Sequence, residues 1–143
     1  MTTKEDAMRL QGNAAFPDDF PGTWKLRITR AGLPPFFALH VYFADGTMME
    51  TTSEWGKGIE GPGLGAWERT GAGFAAMFEL FLFSDCGDYA GMARVRSTIE
   101  VAGPDRLTGQ AVVDLIGLDG GIQPGVVVSL FEGTRIKVLP AGR

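Results

Sequence analysis

From Thr23 onward, apolar residues come in short runs separated by Gly, Pro and Asp. Most runs alternate apolar and polar positions, the two-residue period of a half-buried strand. They predict strands at Thr23–Thr29, Phe36–Phe43, Thr47–Ser53, Leu64–Thr70, Phe74–Phe83, Tyr89–Val101, Arg106–Ile116 and Val126–Val138. The joints carry turn chemistry, with Asp45-Gly46 the strongest hairpin signal and Ala31–Pro35, Gly71–Gly73, Ser84–Asp88, Gly103–Asp105 and Asp119–Gly121 at the others. Eight strands joined in series predict an all-β fold, a closed eight-stranded antiparallel up-and-down barrel, because closure removes the exposed edges. Its span is residues 22–140. Residues 1–21 form a separate N-terminal segment, with a short helix expected over Thr3–Gln11 that would cover one barrel end. The connector Glu54–Gly63 is too long for a tight turn and carries Trp55, which suggests a lid over the barrel mouth.

Side chains alternate across a strand, and directly paired residues share a face. With Trp24, Leu26 and Ile28 inward, pairing across the first hairpin directs Ala38, His40 and Tyr42 inward. A two-residue turn at Asp45-Gly46 then carries the inner face to Met49 and Thr51. In the sixth strand Ala93, Val95, Ile99 and Val101 form the apolar face, opposite Arg94, Arg96 and Glu100. Pairing back from there places Met77, Glu79 and Phe81 inside, and then Trp67 and Arg69. The expected pocket is therefore apolar, walled by Met49, Met77, Phe81 and Trp67, with His40, Tyr42, Glu79 and Arg69 as its polar groups. Such a mixture is usual for a small-molecule site. The second, fifth and eighth strands are apolar on both faces, and an apolar outer wall predicts a covering partner, most simply a homodimer.

Net charge is −4, and no run of Lys or Arg makes a basic stripe, so nucleic acid is not an expected partner. No apolar stretch is long enough to span a membrane, and residues 1–15 lack the apolar core of a signal peptide, which points to a cytoplasmic protein. The single cysteine, Cys86, has only acidic neighbours nearby in the sequence and reads as incidental. No Cys/His cluster has metal-ligand spacing, and no motif calls for a cofactor.

Gly22-x-Trp24 at the start of the first strand and Arg135 late in the last resemble the lipocalin and calycin class of barrels. That resemblance implies that Arg135 packs over Trp24 at the closed end and that both are structural. Phe43-Ala44-Asp45-Gly46-Thr47, Gly61-Pro62-Gly63-x-Gly65-x-Trp67-Glu68-Arg69-Thr70 and Gly133-Thr134-Arg135-Ile136 are similar to segments of small bacterial lipocalin-like proteins. The similarity runs from Gly22 to Val138. It implies a fold and carries no activity with it.

Two small-molecule functions follow from this reading, beside a purely structural or interaction barrel with a packed interior. The first is binding of one apolar small molecule inside the barrel. The alternative is a cofactor-free cyclase, isomerase or dehydratase acting on an apolar secondary metabolite such as a polyketide, where shape, dry walls and one acid suffice. In that case Glu79 is the expected acid, raised in pKa by burial, with His40 and Tyr42 orienting the substrate; the alternative is that Glu79 pairs with Arg69 or Arg94 as a structural ion pair. Glu50, Glu68, Asp114 and Glu132 are expected to be solvated or to pair across strands.

Overall fold

The computed structural model describes residues 20–54 and 60–142. The segment expected to form the N-terminal helix, and Trp55 with half of the proposed lid, lie outside these residues. Eight strands follow in order: β1 (Gly22–Arg30), β2 (Leu33–Tyr42), β3 (Thr47–Thr52), β4 (Gly63–Arg69), β5 (Phe74–Phe83), β6 (Tyr89–Gly103), β7 (Arg106–Ile116) and β8 (Ile122–Arg135). Each pairs antiparallel with its sequence neighbour, and β1 pairs with β8, so the sheet closes as an up-and-down barrel. The last strand starts four residues earlier and ends three residues earlier than the sequence pattern suggests.

Closure brings Trp24 directly opposite Arg135 in the β1–β8 register. The Arg135 guanidinium lies 4.3 Å from the indole centroid, and Arg135 Nη1 donates to the Pro21 carbonyl at 2.9 Å. Trp24 is fully buried, and its Nε1 donates to the Phe20 carbonyl at 3.0 Å. That bond holds Phe20 inside the barrel as a plug. The Phe20 ring stacks on Phe74 at 4.0 Å and touches Tyr42 at 4.2 Å and Trp67 at 4.9 Å. One half of the interior is thus filled with aromatic rings.

Two irregularities set which residues face inward, and both reverse expectations from the sequence. The β2–β3 hairpin has a three-residue loop, Ala44-Asp45-Gly46, closed by Phe43 N–H to the Thr47 carbonyl at 2.9 Å, with Gly46 at φ +94°. A two-residue loop would pair Ala44 with Thr47; the odd loop instead pairs Tyr42 with Met48 and His40 with Glu50. Met48 and Glu50 therefore point inward, and Met49 and Thr51 face out. The second irregularity is a bulge in β6. Phe83 pairs with Tyr89 but Leu82 pairs with Gly91, leaving Ala90 without an opposite number. Gly91 takes the positive φ of +115° at this point. The extra residue shifts the parity of β5, so Phe74, Ala76, Phe78 and Leu80 are buried inside. Met77, Glu79 and Phe81 stand on the outer face, with Glu79 paired to Arg94 in register.

A further bulge shapes the outer wall. Val113 pairs with Val127 and Leu115 with Gln123, so two extra residues of β8 fold around Pro124-Gly125. They cover Asp114, which is fully buried although it lies on the outer face. Its carboxylate accepts bonds from Arg94 Nε at 2.9 Å, Arg96 Nε at 2.8 Å and Gly125 N–H at 2.9 Å. The Arg96 bond, with these others, holds Asp114 ionised, well below the usual carboxylate range. This is a cross-strand anchor for the bulge.

Candidate functional site

The half of the barrel beyond the aromatic plug is hollow. Its inward positions on β6, β7 and β8 include the small residues Ala93, Ser97, Ala111 and Ser129, which leave space opposite Phe78 and Phe131. The result is a cavity of about 210 Å³, running from His40, Glu50 and Ser97 to Arg30, Thr52, Glu54 and Glu60 at the strand ends. That is smaller than the roughly 300–1,000 Å³ of a drug-sized site. Its walls are mainly apolar, formed by residues such as Leu26, Ile28, Phe36, Leu80, Val95 and Val113.

Polar groups gather on one side. His40 and Glu50 are directly opposite each other on β2 and β3, so their side chains are inner-face neighbours. His40 Nδ1 lies 2.8 Å from Tyr42 Oη. The imidazole packs edge-to-face on Phe78, with centroids 5.5 Å apart. Burial lowers the His40 pKa from 6.5 to about 4, so the ring is neutral at physiological pH. Burial, and secondarily the charge of Glu50, push the Tyr42 hydroxyl well above its ordinary range. We assign the retained Tyr42 proton to the bond with Nδ1, which leaves Nε2 as the ring's donor.

Glu50 is the most unusual group in the barrel. It is 4% exposed, and neither carboxyl oxygen has a hydrogen-bond partner among the described residues. Its place depends on a glycine. A Cβ at Gly63, the β4 residue opposite Glu50, would come within 2.6 Å of Glu50 Cγ and 2.5 Å of Phe78 Cδ2. Desolvation, helped by the nearby Glu60 carboxylate, raises the Glu50 pKa from 4.5 to about 8. Glu50 is therefore mostly protonated at neutral pH. Toward the strand ends, Glu60 accepts from Thr52 Oγ1 at 2.6 Å. Arg30 Nη2 donates to Glu54 at 3.0 Å while its guanidinium lies over the Phe36 ring at 4.3 Å.

Of the residues singled out from the sequence, His40 lines this cavity and Tyr42 supports it from below. Trp67 faces inward, but at the plugged end, where it contacts Phe20 and Phe74 and donates from Nε1 to the Phe43 carbonyl at 2.8 Å. Arg69 lies beside it, 5.3 Å over the Phe74 ring, outside the cavity. Met49, Met77 and Phe81 are exposed on the outer wall, and Glu79 stands with them, so none of the four lines the interior. The acid in the pocket is Glu50, which the two-residue reading of the Asp45-Gly46 turn had directed outward. Among the described residues no cluster of three His, Cys, Asp or Glu side chains is arranged to hold a metal ion. No helix among them is long and apolar enough to cross a membrane.

No protein-family model matches the chain, and no curated protein is significantly similar to it. Solved structures that are distantly similar to the chain include two barrel-sized matches. A de novo designed fluorescence-activating β-barrel matches with 19% identity and a TM-score of 0.49, over 85% of this chain and 98% of its own. The S-type phycobiliprotein lyase of Guillardia theta matches with 11% identity and a TM-score of 0.39, over 92% of this chain and 98% of its own. At such scores neither likeness carries an argument, and the fold and the site's chemistry rest on this chain's own residues.

Proposed function

We propose that the barrel binds one small, mainly apolar molecule in its interior, with Glu50 and His40 as the polar contacts. The observation that carries this reading is the cavity of about 210 Å³ with a buried carboxyl that has no protein partner among the described residues. A buried polar group left unpaired costs about 1–3 kcal/mol, and a ligand that supplies its partner recovers that cost. Binding of benzylacetone, an apolar ring with one carbonyl acceptor, is the test. Calorimetry should show one site per chain in the parent protein and none in Ala111→Phe, whose added ring fills the cavity while keeping the barrel folded. Equal binding by both proteins, or by neither, contradicts an interior site.

A catalytic reading has one observation in its favour: Glu50 is a carboxylic acid held protonated near neutral pH beside a neutral imidazole. That pair suits a cofactor-free cyclase, isomerase or dehydratase, with Glu50 rather than Glu79 as the proton donor.

The outer wall supports a homodimer. The register aligns Val41, Met49 and Leu64 in one row across β2, β3 and β4, flanked by the exposed Leu39, Phe81 and Met77. An apolar row of this kind is most simply buried against a second copy. Light scattering at micromolar concentration should give twice the chain mass, and Met49→Glu should halve it. A monomeric parent protein removes this proposal.

A further inference from the structure

We propose that the molecule bound inside the barrel is an organic base, an apolar body ending in a protonated amine or similar cation that pairs with Glu50. The inference rests on the interior binding site proposed above and specifies its ligand.

Three carboxyl groups, Glu50, Glu54 and Glu60, line the cavity, against one guanidinium among the described residues, Arg30. That guanidinium donates from Nη2 to Glu54 at 3.0 Å, while its buried Nε has no partner among the described residues. Glu60 accepts from Thr52. His40 is neutral and bonded to Tyr42. Glu50, between His40 on β2 and Gly63 on β4 and near Phe78 on β5, has no hydrogen-bond partner for either oxygen among the described residues. An anionic ligand would meet a wall already rich in carboxylates. A neutral apolar ligand would leave the Glu50 oxygens as they are. A cation supplies both hydrogen-bond donors and the missing charge, and its apolar remainder fits the Leu26, Ile28, Val95 and Val113 walls.

The proton balance gives this proposal a signature. An ammonium ion entering the site needs the Glu50 carboxylate, so the carboxyl proton leaves to solvent as the ion pair forms. Glu50 holds that proton up to about pH 8. Tyr42 and His40 do not titrate with it, since one is pushed up by burial and the other down to about 4. Glu60 adds to the negative field at Glu50 and favours the same cation.

The experiment compares phenethylamine with propylbenzene, its methyl isostere, and with benzylacetone, using the full chain. Phenethylamine should bind at least tenfold more tightly than propylbenzene at pH 8. Its affinity should fall by about 50-fold between pH 8 and pH 6, because about half of Glu50 is ionised at its pKa and roughly one part in a hundred two units below it. Calorimetry in buffers of different ionisation enthalpy should count close to one proton released per molecule bound at pH 7. Glu50→Gln should abolish both the preference and the pH dependence. If benzylacetone binds inside the barrel and phenethylamine binds no tighter than propylbenzene, or releases no proton, the interior site stands and the base inference falls. If none of the three binds, both fall.

Discussion

Trp24→Ala should lower the unfolding free energy by about 3–5 kcal/mol, the cost of a large aromatic truncation in a packed core. The indole at this position is fully buried and makes three separate contributions. It fills the closed end, it accepts the Arg135 guanidinium on its face, and its Nε1 fixes the Phe20 carbonyl. The last matters beyond Trp24 itself, because Phe20 is the plug that contacts Tyr42, Trp67 and Phe74. Arg135→Lys should cost less, since an ammonium keeps the charge but loses the planar stack and its fork of donors. Urea denaturation of the three proteins checks the series. A Trp24→Ala midpoint equal to that of the parent would show that the β1–β8 seam does not depend on this pair.

The second large effect concerns Glu50 and pH. A carboxyl raised from 4.5 to about 8 on folding contributes stability that is complete below pH 4.5 and lost as the pH rises to about 8. His40, lowered from 6.5 to about 4, contributes stability present above pH 6.5 and lost as the pH falls toward 4. Between 4.5 and 6.5 the folded protein holds one proton on Glu50 and the unfolded chain holds one on His40, so the two slopes cancel. From 6.5 to 8 only the Glu50 slope remains, and the parent should lose about 2 kcal/mol. Glu50→Gln keeps the shape and a neutral polar group but cannot ionise. Relative to the parent, it should gain roughly 5 kcal/mol in stability as the pH is raised from 4.5 to 8. Chemical denaturation across that range decides it. Parallel pH profiles for the two proteins would mean that Glu50 is not buried as a neutral acid.

Much of the fold was legible in the residues. Alternation and turn chemistry marked eight strands, and Gly22-x-Trp24 with Arg135 marked the seam where they close. His40 and Tyr42 could be placed inward because they follow from Trp24 across a short hairpin. The face of β6 was readable because Arg94, Arg96 and Glu100 occupy one side of it. Parity was lost at three places, and at the β4–β5 hairpin a loop one residue longer than Gly71–Gly73 cancelled the β5 error, so Trp67 still faces inward. On β3 each face presents one methionine and two polar residues, Met48 with Glu50 and Thr52 against Met49 with Thr47 and Thr51, so composition does not distinguish them and the loop length alone decides. On β5 both faces are apolar, and one extra residue at Ala90 decides. There the sequence did hold a signal. Glu79 is the single charge in Phe74–Phe83, and a lone charge on a doubly apolar strand marks the solvent side more often than a pocket. The Gly91 that permits the bulge interrupts the strand pattern at the same point. Glu50 was missed because its environment is assembled by four strands, and the decisive contact is the missing Cβ of Gly63.

The most direct measurement is a pH titration of the Glu50 side-chain carboxyl carbon by NMR, with Glu50→Gln used to assign the resonance. A midpoint near pH 8 in the ligand-free protein, moving down sharply when phenethylamine is added, is the expected result. A midpoint near 4.5 that ignores added ligand would contradict a buried, unpartnered acid facing a binding cavity.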